Sequence, residues 1–178
     1  LARTAERLGG NYTWDRFDWR LQPQLKAVAE ALRAKWHTGV YLEGPRGTGK
    51  THLVTALVYE AIKQHLKADL IHCIVLADLF SESQGFGDGR EAAREKIEKL
   101  CHQDVLVLDD LGAQRHDKSG VFREQLQLLL DTFRGTLLIT TNLSDTDMFE
   151  RIQGPNISRL AGRCVRWKTQ GQDQRGRR

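Results

Sequence analysis

The segment Gly44, Pro45, Arg46, Gly47, Thr48, Gly49, Lys50, Thr51 constrains this chain more than any other feature. It matches the P-loop pattern at every fixed position, and its surroundings fit as well. The apolar run Val40, Tyr41, Leu42 before it reads as a buried strand, and Leu53, Val54, Leu57, Val58, Ala61 and Ile62 follow at helical spacing. A strand, a glycine-rich turn and a helix in that order aim backbone N–H groups and the positive end of a helix dipole at a bound anion. Lys50 is therefore expected to reach the β- and γ-phosphates of ATP, and the Thr51 hydroxyl to ligate Mg2+. The octet and the adjoining His52 form the expected nucleotide-binding segment.

Three further segments can complete such a site. The run Val105, Leu106, Val107, Leu108 ends in Asp109 and Asp110, which puts carboxylates at the C-terminal end of a buried strand, where open α/β sheets take ligands. Asp109 is expected to hold Mg2+ through its hydration shell, and Asp110 is the candidate base that polarises the attacking water. Aspartate is one methylene shorter than the glutamate common at such a position, so slow hydrolysis is expected. Alone, the pair would more often be a helix cap or a turn; its place downstream of a P-loop is what favours catalysis. Thr140, Thr141 and Asn142 close another strand, where the Asn142 amide would face the γ-phosphate or the water, or else simply form a turn. Arg159 follows a predicted loop at Gly154 and Pro155 and opens a short helix. It would stabilise charge on a neighbouring subunit's nucleotide, the alternative being a surface ion pair.

Along the rest of the chain, Pro23 opens a helix carrying Leu25, Val28, Leu32 and Trp36 that ends before Gly39. Leu70 to Leu76 reads as a strand covered on both faces, Ala77 to Phe80 as the start of a short helix, and residues 81–90, with three glycines, as a mobile loop. A charged helix over 91–102 comes next. A helix bearing Val121, Phe122, Leu126, Leu129, Leu130 and Phe133 should stop at Gly135 as its C-terminal cap, before a strand from Leu137 to Thr140. Strands alternating with helices predict an α/β three-layer sandwich around a parallel sheet. The expected organisation is an N-terminal arm over 1–20 with Tyr12, Trp14, Phe17 and Trp19, an ATPase core over 21–168 and a basic tail over 169–178.

The balance of 40% hydrophobic and 28% charged residues over 178 positions is that of one globular domain. No apolar run approaches the ~20 residues needed to span a bilayer, and the first residues lack a secretory h-region, so no membrane partner and a cytoplasmic location are expected. Because the chain begins at Leu1, a preceding segment is expected, with room for a partner-binding domain. Cys73, Cys101 and Cys164 form an odd set without CxxC spacing, which favours free thiols over a disulfide framework or a zinc site using His72 and His102. The net charge is +4, yet between residues 158 and 178 seven basic residues face Asp173 alone. Such polarity suits nucleic acid, or else a solvated, fraying tail.

Taken in order, GPRGTGKTHL, VLVLDDLGAQ, LLITTNLS and ISRLAGR resemble the AAA+ ATPases of the DnaC and DnaI helicase-loader family, from the TWDRFDW arm to the closing GQDQR. The related IstB transposition-helper family shares the same motifs. The resemblance implies a sheet in the order 5-1-4-3-2, with Asp109 on strand 3 and Asn142 on strand 4. It also implies self-assembly with Arg159 acting on the next subunit's ATP, binding of single-stranded DNA, and a replicative helicase partner engaged through an N-terminal domain. Phe86 would stack on a base, and Arg115, Lys118 and Ser119 would contact phosphates, or else all four are simply exposed loop residues. No helical lid with its own sensor arginine is recognisable after residue 168. The leading expectation is an ATP-dependent helicase loader. A transposition helper on duplex DNA comes second and a small-molecule P-loop kinase third, the kinase disfavoured because it would need neither Asn142 nor Arg159.

Overall fold

The computed structural model describes residues 11–114 and 119–171. Five strands, β1 (Gly39–Glu43), β2 (Ala68–His72), β3 (Val105–Asp109), β4 (Thr136–Thr141) and β5 (Cys164–Lys168), form one parallel sheet in the order β2-β3-β4-β1-β5. Read from the other edge this is the expected 5-1-4-3-2. The helices are α1 (Pro23–Ala34), α2 (Lys50–Lys63), α3 (Cys73–Gln84), α4 (Gly89–Cys101), α5 (Val121–Thr132) and α6 (Asp145–Arg163), with a 3-10 turn at Trp14–Arg16. No helix among the described residues is long and apolar enough to cross a membrane.

The two faces of the sheet follow from the period-2 alternation of strand side chains. Val105 and Val107 join Val40, Leu42 and Leu138 beneath α1, α2 and Phe17 of the arm. Leu106 and Leu108 join Ile71, Leu137 and Ile139 beneath α3, α4, α5 and α6. All five β3 residues are buried, as expected of a parallel strand covered on both sides. This central strand ends in a carboxylate, which fixes where the polar chemistry emerges.

Several expectations about elements are corrected. The apolar run from Leu70 is not one strand: β2 ends at His72, and Cys73 begins a helix. Cys73, Leu76 and Phe80 are buried at spacings of three and four while Ile74 and Val75 are exposed, a helical pattern that a mostly apolar run conceals. That helix continues through Gln84, with the Ser83 hydroxyl bonded back to the Phe80 carbonyl at 2.8 Å, so the glycine loop shrinks to 85–88. Trp36 lies beyond α1, and its Nε1 donates to Gln64 Oε1 at 2.9 Å. The expected loop before Arg159 is a single break inside α6 at Gln153 (φ 65°), so Pro155 sits in the first turn of the second half, where a missing N–H is tolerated. Arg159 therefore lies within that half-helix rather than opening it.

Gly135 does not cap α5. The helix ends at Thr132 with an extended Phe133, and the role of Gly135 is close approach: a Cβ there would stand 2.4 Å from the Asp104 carbonyl oxygen. The same oxygen accepts the Thr136 N–H at 2.8 Å, so the entries to β3 and β4 meet without room for a side chain. Gly135→Ala should consequently cost about 1–3 kcal/mol by overpacking. Thermal unfolding would register this as a fall of several degrees, and an unchanged midpoint would contradict the close approach.

Candidate functional site

The P-loop joins β1 to α2. Gly44, Gly47 and Gly49 all have positive φ, at 140°, 74° and 87°. Gly44 is demanded twice over, because a Cβ would also meet the Thr169 hydroxyl at 2.4 Å. Lys50 is buried, and its Nζ donates to the carbonyls of Gly44 and Pro45, both at 2.7 Å. The ammonium thus lies inside the curl of the loop, bonded to oxygens that a phosphate can replace. Thr48 Oγ1 donates to the Pro45 carbonyl at 2.9 Å and lies 2.8 Å from Thr169 Oγ1. Gln22 Nε2 reaches the Thr48 carbonyl at 3.3 Å and the Gln170 carbonyl at 2.6 Å.

A second group converges from three neighbouring strands. Asp109 is only 4% exposed, and its Oδ1 accepts from Thr140 Oγ1 at 2.7 Å and from Thr51 Oγ1 at 3.1 Å. Neighbouring ligands of an octahedral Mg2+ at about 2.1 Å stand roughly 3 Å apart. The Thr51 and Asp109 oxygens fit that spacing, and both are the hard donors this ion prefers. Asp110 adopts a left-handed backbone (φ 57°), held by a bond from its N–H to Thr140 Oγ1 at 2.8 Å. Strain of this kind in a non-glycine residue concentrates at functional sites. Asn142 Nδ2 donates to Asp110 Oδ1, and His72 Nε2 stands 3.6 Å from Oδ2. The Asp110 carboxylate is bracketed by the residue that ends β2 and the residue that follows β4.

Lys50, Thr51, Asp109, Asp110 and Asn142 are thus brought to one end of the sheet, as expected. His72 was missed as a site residue because the apolar run hid the end of β2; its register opposite Asp109 is what carries it there. His52 turns away from the loop, with its Nε2 3.1 Å from the Thr13 carbonyl oxygen and its ring edge-on to Tyr12 and Phe17, both at 5.2 Å. Burial holds its imidazole below the usual histidine range. The arm thereby lies against the P-loop helix.

Arg159 is not part of this cluster. Its Nε and Nη2 bind the two oxygens of Asp131, at 2.6 and 3.0 Å, near the end of α5. That end leads into the start of β4, whereas the P-loop leaves the far end of the parallel neighbour β1. The two therefore occupy opposite ends of the strands.

Among the described residues, the basic side chains behind the expected polarity have protein partners. Arg166 pairs with Glu43 and Asp145, Lys168 pairs with Glu43 at 3.0 Å, and Arg163 donates to backbone carbonyls. Charge counting in sequence does not see these partners, which lie far away along the chain. Phe86 is fully exposed in the loop between α3 and α4. Ser119 accepts the Val121 N–H at 3.4 Å, and Arg115, Lys118, Asp173, Arg175, Arg177 and Arg178 lie outside the described residues. All three cysteines are free, and no group of three metal-ligating side chains occurs among the described residues. Burial, with Asp109 and Asp110 nearby, pushes the Cys73 thiol far up and so favours its neutral form.

A family model described as IstB-like ATP binding protein matches residues 7–159. Among curated proteins, YdaV of Escherichia coli (strain K12) is 30% identical over 96 residues, 54% of this chain and 37% of that protein. The insertion sequence IS21-like putative ATP-binding protein of Bacteroides fragilis is 23% identical over 158 residues, 83% of this chain and 54% of that protein. The chain thus spans about half or less of the length of these relatives. Among solved structures, the DnaC helicase loader superposes with a TM-score of 0.77 at 20% identity, covering 93% of this chain and all of that one. A putative primosome component from Streptococcus pyogenes serotype M3 gives 0.71 at 21%, covering 98% and 99%. The replication initiator DnaA bound to AMPPCP and single-stranded DNA gives 0.78 at 17%, covering 93% and 51%. These likenesses concern the fold, whereas the family model takes in most of the chain together with its P-loop and carboxylate strand, and the chain belongs to the IstB-like family of AAA+ ATP-binding proteins.

Proposed function

We propose that this chain binds ATP with Mg2+ at its P-loop, hydrolyses it when a second copy docks against the site, and uses that cycle to assemble on DNA as a helicase loader does. The observation that carries the reading is the division of a hydrolytic set between the two ends of one sheet. Lys50, Thr51, Asp109, Asp110 and Asn142 stand at the strand exits, and Arg159 at the strand entries. An arginine so placed is out of reach of its own chain's nucleotide but is presented to a copy stacked head to tail.

In this reading Lys50 exchanges its two carbonyl partners for phosphate oxygens. Thr51 and Asp109 would hold Mg2+, which when bound supplies charge neutralisation on the β- and γ-phosphates. Asp110, oriented by Asn142 and His72, accepts a hydrogen bond from water and then its proton. As the water oxygen bonds to the γ-phosphorus, the bond to the β–γ bridging oxygen breaks, leaving ADP and inorganic phosphate. The arginine of the neighbouring copy meets the charge that develops. Phe86, exposed in its loop, offers a stacking surface for an unpaired base.

A single-stranded target is favoured by the fold shared with a helicase loader and with an initiator bound to single-stranded DNA. A second reading, a transposition helper that assembles on duplex DNA, is favoured by the family model and by the insertion-sequence protein of Bacteroides fragilis. Fluorescence anisotropy of labelled single-stranded and duplex oligonucleotides, titrated at fixed salt with a non-hydrolysable ATP analogue, separates them. Preference for the single strand supports the loader and preference for duplex the helper; binding to neither removes DNA assembly from the reading.

Lys50→Ala should weaken ATP binding roughly tenfold to a hundredfold, the loss of charge-assisted bonds to phosphate. Unchanged affinity in a nucleotide titration would contradict the assignment. Arg159→Ala should leave ATP affinity unchanged while turnover falls by on the order of 10³, the effect of removing a transition-state contact. Turnover equal to that of the parent would rule out its role in trans. Phe86→Ala should cost about 1–3 kcal/mol of affinity for single strands, and an unchanged anisotropy curve would remove Phe86 from the interface.

A further inference from the structure

At the strand-entry end a groove of about 430 Å³ lies between the last turn of α5 and the second half of α6, lined by Leu130, Asp131, Phe133, Arg134, Arg159 and Arg163. Its three guanidiniums are not equivalent. Arg163 turns inward: Nη1 donates to the carbonyls of Leu130 and Phe133 at 2.6 and 2.7 Å, and Nη2 to that of Gly135 at 3.3 Å. It closes the end of α5 and is not offered outward. Arg159 is committed to both oxygens of Asp131, with Nη1 on the Pro155 carbonyl at 3.1 Å.

That pairing has an electrostatic consequence. A guanidinium bound fork to fork brings its carboxylate along, so the Arg159–Asp131 pair presents directional N–H groups but little net charge. Charge on a transferred phosphoryl group calls for a net cation. Arg134 is exposed on the same groove, forms no ion pair among the described residues, and exerts its charge on both Asp131 and Arg163. It sits between α5 and β4, and so at the same strand-entry end as Arg159 and opposite its own P-loop.

We propose that Arg134 is a second cation of this face, acting beside Arg159 on the ATP held in the P-loop of a second copy of the chain. Asp131 fixes the direction of the Arg159 fork, and Arg134 offsets the charge of Asp131, so the groove presents both geometry and net positive charge to the triphosphate. No covalent step is added; the contribution is to the charge of the transferred group. The inference rests on the trans reading of Arg159 given above.

The test compares ATP turnover, ATP affinity and melting temperature of Arg134→Ala and Arg159→Ala with those of the parent chain. It then mixes Arg134→Ala with Lys50→Ala copies. Arg134→Ala should lose turnover by on the order of a hundredfold, as on removal of one preorganised charged donor, with affinity and melting temperature unchanged. Mixing should restore part of the turnover, because Lys50→Ala copies bring an intact Arg134 to the competent P-loops of the others. Parental turnover in Arg134→Ala alongside an inactive Arg159→Ala would overturn this inference and leave the trans reading standing. Parental turnover in both would overturn the two together, and a loss in Arg134→Ala that mixing does not relieve would place Arg134 outside the trans site.

Discussion

The site depends on one buried carboxylate. Asp109 ends a strand that is covered on both faces, so its charge emerges where there is little water to solvate it, and the surrounding elements must supply polar partners. Thr140 supplies one from the neighbouring strand and Thr51 another from the P-loop helix. For both hydroxyls to meet one carboxylate, β3 must pair with β4, and the P-loop must arrive from the strand beyond β4. The sheet order is thus the arrangement in which this charge is accommodated. A divalent cation between Thr51 and Asp109 would extend an interaction that the protein already makes. Thr140 does a second task, since its oxygen also accepts the Asp110 N–H and so holds that residue in its left-handed turn.

A second buried carboxylate, Glu43, closes the other flank of the P-loop. Its partners Arg166 and Lys168 come from the edge strand β5, and Arg166 continues to Asp145 at the start of α6. Removing one partner of such a pair costs more than the pair itself contributes, because the remaining charge stays buried. Arg166 and Lys168 therefore serve the packing of the sheet around a buried charge. Arg163 shows the same economy, using its donors to satisfy the carbonyls at the end of α5 that no helix bond can reach.

Much of this was legible in the sequence where local chemistry dictates local structure. The glycines of the P-loop, the aspartates at the end of β3 and the Thr140–Asn142 strand end each state their backbone requirement within a few residues, and all arrive together. Legibility fails where the deciding contact is distant. The run from Leu70 to Leu76 is apolar except for His72, so only tertiary burial shows that His72 ends a strand and Cys73 starts a helix. With that boundary hidden, so was the place of His72 beside Asp110. Gly135 looks like a helix cap and is instead a contact with Asp104, a neighbour only across the sheet. Likewise, nothing near Arg159 in sequence announces Asp131 as its partner. The position of Arg159 at the far end of the strands from the P-loop follows from the strand order and the direction of α5, neither of which a local motif contains.

Gln22 ties distant parts of the chain together: across 148 residues its amide reaches the Gln170 carbonyl, and it also meets Thr48 inside the P-loop. Thr169 packs so closely over Gly44 that no side chain fits between them. The P-loop is encoded early, but the groups that brace it from above follow far along the chain, Thr169 lying 121 residues after Thr48. A chain emerging from the ribosome thus carries the phosphate-binding motif long before it carries the residues that stiffen it. The sequence separation of these contacts makes closing the loop a late, entropically costly event in folding. Stiffening of the nucleotide site is coupled in this way to the arrival of the segment that follows β5.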